Sequence, residues 1–322
     1  MTQREFAKLL NISQAAVSMA LNDSPEISPE KRRHIRELAE KLGYRPNLAG
    51  QLLRKGRSNL LGVILPPLSY GFYAELLEEL FTHARAHGYV LMLENCASEE
   101  DMVRIGKTMR QYNVAGILAG CGSAPAREFL PPEVPTVLIA GETFYDDGNP
   151  RVMWVQPDLY GSGRILGGYL LEKGKKNIVF VGLAREEEPR YQGLREVVEA
   201  AGHRLETIFC RDNTRQAGYE LAAEVLARFP GCDAVAAHND DMAIGFLSRF
   251  FRERIAVPER IAVAGFDNIS SGAFAPPPLT SIGPGLDVFA ETAITGVLDM
   301  LAGKPVKKSI WIKCGLAVRE SA

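Results

Sequence analysis

From residue 60 onward the chain repeats one pattern, a short and almost wholly apolar run followed by a longer stretch with apolar residues three and four apart. The runs are LLGVIL (60–65), YVLML (89–93), VAGILA (114–119), TVLIA (136–140), NIVFVG (177–182), AVAAH (234–238) and IAVAGF (261–266). Continuous rather than alternating apolarity marks strands buried on both faces, the condition of a parallel sheet sandwiched by helices. Helical stripes lie between them, as from Phe72 to His87 and from Asp158 to Lys173. About ten such units exceed one comfortable sheet. The pattern therefore predicts an α/β core of two doubly wound parallel-sheet subdomains facing a cleft, with ligands bound beyond the carboxyl ends of the strands.

The first 45 residues follow a different rule. Thr2-Gln3-Arg4-Glu5 is a capping box, and Phe6, Leu9 and Leu10 form the apolar stripe of a first helix. Ser13 caps a second helix carrying Val17, Ala20 and Leu21, which Asn22-Asp23-Ser24-Pro25 ends. Ser28-Pro29-Glu30 opens a third, with Ile35, Leu38, Ala39 and Leu42 on its core side before Gly43. This head is predicted to be all-α. A tight turn between two helices, the second rich in Ser, Gln and Ala, fits a helix-turn-helix that approaches base edges in a major groove. A plain three-helix bundle fits the same pattern.

Charge favours the first reading. Residues 1–58 hold 11 Lys/Arg against 6 Asp/Glu, a net of +5, while residues 59–322 hold 26 against 33, a net of −7. A basic head on an acidic body points to a polyanion as the head's partner alone. There is no apolar run of membrane-spanning length and no signal segment over the first ten residues, so a soluble cytoplasmic protein with no membrane partner is expected. Cys96, Cys121, Cys210, Cys232 and Cys314 are odd in number and free of CxxC spacing, which suits reduced, buried thiols.

The stretch from Phe6 to Ser58, with VSMALN closing the second helix and GYRPN leading into the linker, resembles the head and hinge of the lactose-repressor (LacI/GalR) family. The resemblance continues through LLGVILP, YAELLEEL, HGYVLML, VAGILAG, NDDMAIG, VAGFDN and PPLTSIG. It implies a head over 1–45, a hinge helix and linker over 46–58, and a periplasmic-binding-protein-like core over 59–322. The core would divide into an N-subdomain (about 59–156 plus 285–308) and a C-subdomain (about 157–284 plus 309–322). It further implies a homodimeric repressor that reads double-stranded operator DNA under the control of a small polar effector. A sugar or sugar derivative is favoured, with a purine or nucleoside as the alternative. A sugar receptor of periplasmic type shares the core, but the basic head and missing signal segment argue against it.

By the same resemblance Gln14, Ala15 and Met19 face bases, with Ser13, Ser18 and Asn22 beside them, while Arg33, Arg45, Asn47 and Arg54 serve phosphate anchoring. Met19 replaces the family's usual arginine and offers apolar contact where arginine would grip guanine. Leu53 would be the minor-groove wedge of a hinge helix spanning Asn47 to Lys55, weakened by Gly50 in place of alanine by ~1 kcal/mol. In the core the effector candidates are Tyr70, Phe72 and Tyr73 after the first strand, Arg190 in PRYQGLR, Asn239 and Asp240 in NDDMAIG, and Asp267 in VAGFDN. Arg190 would fork onto hydroxyl or carboxylate oxygens. Asn239 or Asp240 could instead cap a helix, Asp267 could close a turn with Asn268, and Ala140 stands where many members carry an acid.

Several other signals carry no chemistry. Gly161-Ser162-Gly163 with Gly167 has the wrong spacing for a dinucleotide loop, and it lies inside a helical stretch. His83 and His87 share a helix face with no evident further ligand, so no metal and no cofactor is expected. No GxSxG, HExxH or phosphate-loop motif is present, which argues against an enzyme.

Overall fold

The predicted caps form as the side-chain chemistry dictates. In the computed structural model α1 (Gln3–Leu9) opens on the full capping box, with Thr2 N–H donating to Glu5 Oε2 at 2.7 Å and Glu5 N–H to Thr2 Oγ1 at 3.3 Å. Ser13 Oγ accepts from Ala16 N–H at 3.1 Å to start α2 (Gln14–Leu21), and Ser28 Oγ accepts from Lys31 N–H at 3.4 Å to start α3 (Pro29–Lys41). The structure describes residues 1–21, 23–44, 58–120, 129–139, 148–183 and 188–322, in two compact units, Met1–Asn59 and Leu60–Ala322.

The head core is Phe6, Val17, Ala20, Ile27, Ile35, Ala39 and Tyr44, with Phe6 stacked on Tyr44 at 4.4 Å. Leu9 and Leu42, expected inside, are exposed; Leu9 is the last residue of α1 and Leu42 the C-cap of α3, where the helical stripe runs out. Asp23 holds the turn after α2 at φ +55°, and its carboxylate accepts from Arg36 at 2.5 Å while Arg36 Nε also donates to Ala20 O at 3.2 Å. That buttress fixes α3 against the end of α2. Burial is not needed for the Asp23 carboxyl to be held below the usual range, since the Arg36 hydrogen bond favours its charged form.

The larger unit contains two six-stranded sheets. The first is built from β1 (Leu60–Leu65), β2 (Val90–Asn95), β3 (Gly116–Ala119), β4 (Thr136–Ile139), β5 (Val152–Pro157) and β11 (Ser309–Ile312), in the order β11-β5-β4-β3-β1-β2, all parallel. The second contains β6 (Ile178–Leu183), β7 (Glu206–Cys210), β8 (Ala234–Ala237), β9 (Ala262–Phe266), β10 (Thr280–Pro284) and β12 (Cys314–Ala317). Its order is β12-β10-β9-β8-β6-β7, parallel except for β12 against β10. The helices are α4 (Gly71–Ala86), α5 (Glu99–Gln111), α6 (Leu159–Glu172), α7 (Pro189–Ala200), α8 (Arg215–Arg228), α9 (Asp240–Arg252) and α10 (Leu286–Leu301). Apolar clusters cover both faces of each sheet, as continuous apolar strands require.

The chain crosses between sheets three times, after β5, after β10 and after β11. The last crossing falls later than the sequence suggested: residues 309–312 pair with β5, Ser309 with Trp154 through Ile312 with Pro157, and belong to the first sheet. Only β12 returns to the second. SIWI and CGLA are separated by a single residue, Lys313, too short a break for sequence patterning to assign them to different sheets.

The glycines of α6 have a packing explanation. A Cβ on Gly163 would lie 2.1 Å from Arg190 O, and one on Gly193 would lie 2.1 Å from Tyr160 O, so α6 and α7 cross backbone to backbone. Gly218 and Gly245 do the same for α8 and α9 against Met242 O and Arg215 O.

Candidate functional site

On the head, the start of α2 presents Ser13, Gln14 and Ala15 to solvent, with Gln14 Nε2 donating to Gln3 Oε1 at 3.4 Å. Ser18 and Met19 are half-buried, and Met19 packs on the apolar head core. Its thioether is thus shared between core and surface, unlike the freely projecting base-facing residue expected at that position. Arg33 is exposed on α3, 4.0 Å from Glu37. Asn22, Arg45, Asn47, Leu53 and Arg54 lie outside the described residues, as do Gly50, the whole expected hinge helix and Ala140.

In the larger unit, a cavity of about 250 Å³ opens between the two sheets at the carboxyl ends of their strands. Six of the seven effector candidates line it: Tyr70 at the end of the β1–α4 connection, Phe72 and Tyr73 in the first turn of α4, and Arg190, Asn239 and Asp267 from the second sheet's side. Phe72 and Tyr73 meet edge to face at 5.3 Å. Two polar ties span the same gap, Gly71 N–H to Asp241 Oδ2 at 2.9 Å and Ser270 N–H to Glu75 Oε1 at 2.8 Å.

Arg190 is held from three directions. Its Nη1 donates to Glu188 Oε1 at 2.9 Å, its Nη2 lies 3.5 Å from Asp267 Oδ1, and its guanidinium carbon lies 5.7 Å from the centre of the Phe266 ring. Glu188 is itself buried, and its other oxygen caps α7 by accepting from Tyr191 N–H at 2.7 Å. Asp267 follows β9 with φ +102°, and Asn268 follows at +54°. The turn is locked by Asp267 N–H donating to Ile282 O at 2.8 Å, Asn268 N–H to Ser281 Oγ at 3.0 Å, and Arg319 to Asn268 Oδ1 at 2.8 Å. Asp267 therefore both closes a turn and faces the cavity. Burial, only partly opposed by Arg190, pushes its carboxyl up to about 7.

Asp240 does not reach the cavity. It is fully buried behind the turn, where Oδ2 accepts from Ile269 N–H at 2.8 Å and Oδ1 from Ser281 O–H at 2.5 Å. Desolvation, with the neighbouring Asp267 charge, raises its carboxyl well above the usual range. The cap of α9 is Asn239, whose Oδ1 accepts from Met242 N–H at 2.8 Å while the residue also lines the cavity. The helical phase explains the division: one residue past a cap the side chain turns from the cleft to the sheet.

The cavity also recruits Ser162, Asn213, His238 and Cys314, which sequence reasoning did not select. His238 ended an apolar run and could have been read as a strand-end polar group, whereas Asn213 and Cys314 carried no such signal. Cys314 departs from the expected buried thiol, although burial pushes its thiol up to about 12, as it does for Cys232. His83 also differs from expectation. Asp287 at the start of α10 meets its Nε2 at 2.8 Å, and Glu79 stands one turn before it on α4, the three groups' ligand atoms lying within 4.8 Å of one another. Among the described residues no helix is long and apolar enough to cross a membrane.

Residues 2–47 match the model of the bacterial regulatory proteins of the lacI family, and residues 168–322 match that of the periplasmic binding protein-like domain. The chain carries a lacI-family DNA-binding domain and a periplasmic-binding-protein-like domain. The ribose operon repressor of Escherichia coli (strain K12) is 28% identical over 308 residues, covering 91% of this chain and 91% of that protein. The HTH-type transcriptional repressor CytR of the same strain is 27% identical, covering 99% and 96%. The lac repressor dimer bound to operator and an anti-inducer superposes with a TM-score of 0.86 at 18% identity, over 100% of this chain and 98% of that one, a likeness of fold. The head and the cavity are thus the two places where function is expected to reside.

Proposed function

We propose that this protein is a lacI-family transcriptional repressor that binds operator DNA as a homodimer through α2, and that a sugar or sugar derivative in the inter-sheet cavity controls its DNA affinity. The observation that carries the reading is the convergence of Tyr70, Phe72, Tyr73, Arg190, Asn239 and Asp267 on one cavity from four separate strand–helix junctions and turns, in a chain that also bears a capped helix-turn-helix. Aromatic walls beside a few fixed polar groups suit a ring with one apolar face and several hydroxyls. At about 250 Å³ the space lies just below the usual span of ligand pockets, roughly 300–1,000 Å³, and favours one ring over an oligosaccharide.

Effector binding acts only through its differential affinity for two core arrangements. The ties from Asp241 to Gly71 and from Glu75 to Ser270 are contacts that closure would strengthen and opening would break. Two experiments test the proposal. Selection from a random DNA library should recover a two-fold symmetric site, and a thermal-shift panel of sugars and nucleosides should identify the effector class, since a ligand at 100 times its Kd adds ~2.7 kcal/mol. A response to nucleosides alone would overturn the sugar assignment.

A further inference from the structure

Arg190 is the only Lys or Arg among the described residues that line the cavity. Were its charge uncompensated, it would make the site a receptor for phosphate or carboxylate. It is instead flanked by two carboxyl groups, Glu188 at 2.9 Å and Asp267 at 3.5 Å, and its face lies against Phe266. Glu188 is 1% exposed and is fixed by its cap to Tyr191, so it cannot swing away to make room for a competing anion. On the same cavity the Tyr70 phenol is pushed up, first by burial and then by the charges of Asp212 and Asp241. Asp241 is itself engaged by Arg215 at 2.6 Å. Around Arg190 the site therefore offers no uncompensated positive charge to an incoming anion.

We infer that the cavity selects an uncharged polyhydroxylated ring and rejects the phosphorylated and carboxylated derivatives of the same ring, because its cation is already paired with the buried Glu188 carboxylate and flanked by the Asp267 carboxyl. This rests on the effector reading above and sharpens it to a charge class. Arg190, Asp267 and Asn239 supply hydroxyls with donors and acceptors, and the aromatic residues Tyr70, Phe72 and Tyr73 supply a wall for the ring's C–H face. An incoming anion would have to compete with the buried Glu188 carboxylate for one guanidinium in a partly desolvated site, with the Asp267 carboxyl beside it. The carboxylate ligand that the sequence left open for Arg190 is thereby disfavoured.

Matched pairs test this on the full-length chain by thermal shift and isothermal titration: D-ribose with D-ribose 5-phosphate, D-glucose with D-glucose 6-phosphate and with D-glucuronate, and adenosine with its 5′-monophosphate. The expected result is that a neutral member binds and its charged partner binds at least ~10-fold more weakly, the gap narrowing as salt screens the field. In Glu188→Gln one negative charge is lost, and with the amide oxygen kept on Tyr191 N–H the amide NH2 replaces the acceptor that Arg190 Nη1 uses. The neutral-to-charged affinity ratio should then fall by at least ~3-fold, since the guanidinium becomes less compensated. If that variant does not fold, the wild-type ratio decides alone. A charged member that binds more tightly than its neutral partner overturns the inference and leaves the effector reading standing. A panel in which no member shifts the melting temperature overturns the effector reading and the inference together.

Discussion

Asp267→Asn separates the two forces acting on the carboxyl at the cavity floor. Its side chain is 16% exposed and lies 3.5 Å from Arg190, yet burial wins and lifts its pKa from 3.8 to about 7. The folded state then holds the proton more tightly than the unfolded chain, so this group's favourable contribution is complete at low pH and is lost as pH rises from about 4 through about 7. At 1.36 kcal/mol per unit, the linkage relation gives a loss of about 2–3 kcal/mol for the wild type between pH 5 and pH 8. Asparagine keeps an oxygen facing Arg190 but does not titrate. Urea unfolding of the ligand-free protein, followed by far-ultraviolet circular dichroism at pH 5, 6, 7 and 8, should show the stability difference moving in the variant's favour by that amount. Parallel pH profiles would refute the reasoning. A difference confined to pH 3–4 with the opposite sign would show that the ion pair with Arg190 dominates instead.

Three further outcomes follow from single contacts. Asp240→Ala should cost about 2–4 kcal/mol in urea unfolding, because it leaves Ile269 N–H and the Ser281 hydroxyl buried without their acceptor, whereas Asp240→Asn should recover most of that loss. Gly163→Ala should cost about 1–3 kcal/mol or more and weaken effector binding, since its Cβ would press on the backbone of Arg190 itself. The control Gly168→Ala, with nothing within 4 Å of the new methyl, should stabilise the same helix by about 0.5–1 kcal/mol. Met19→Arg should move the operators recovered from a random library toward guanine, while an unchanged consensus would place residue 19 in the head core alone.

The architecture was legible where one physical rule dominated. Buried parallel strands must be apolar throughout, so LLGVIL and IAVAGF announced themselves, and the caps at Thr2, Ser13 and Ser28 were readable because backbone donors at helix starts need those oxygens. The edges were less legible. β7, β11 and β12 are short and half-exposed, and the return of β12 to the second sheet depends on a one-residue crossing. In the cavity, strand-end residues such as Asp267 and Asn239 could be found, but their division of labour could not. Asp240 and Asn239 are neighbours in sequence, and only three-dimensional packing shows that one faces the ligand space and the other props up the turn that holds Asp267. Glu188 was hidden in an acidic run, and the glycines of α6 resembled a failed nucleotide motif until the crossing with α7 explained them.

The central claim is that one chain couples sequence-specific DNA binding in the head to a small molecule in the cavity. It is tested most directly by fluorescence anisotropy of a labelled operator, recovered from the random library, titrated with full-length protein with and without the effector that the matched panel identifies. The account predicts specific binding that weakens steeply with salt, and an effector-induced change in operator Kd of about 5–150-fold, mirrored by an equal change in effector Kd when operator is present. An operator affinity that does not move when the cavity is saturated with a ligand shown to bind it would contradict the account.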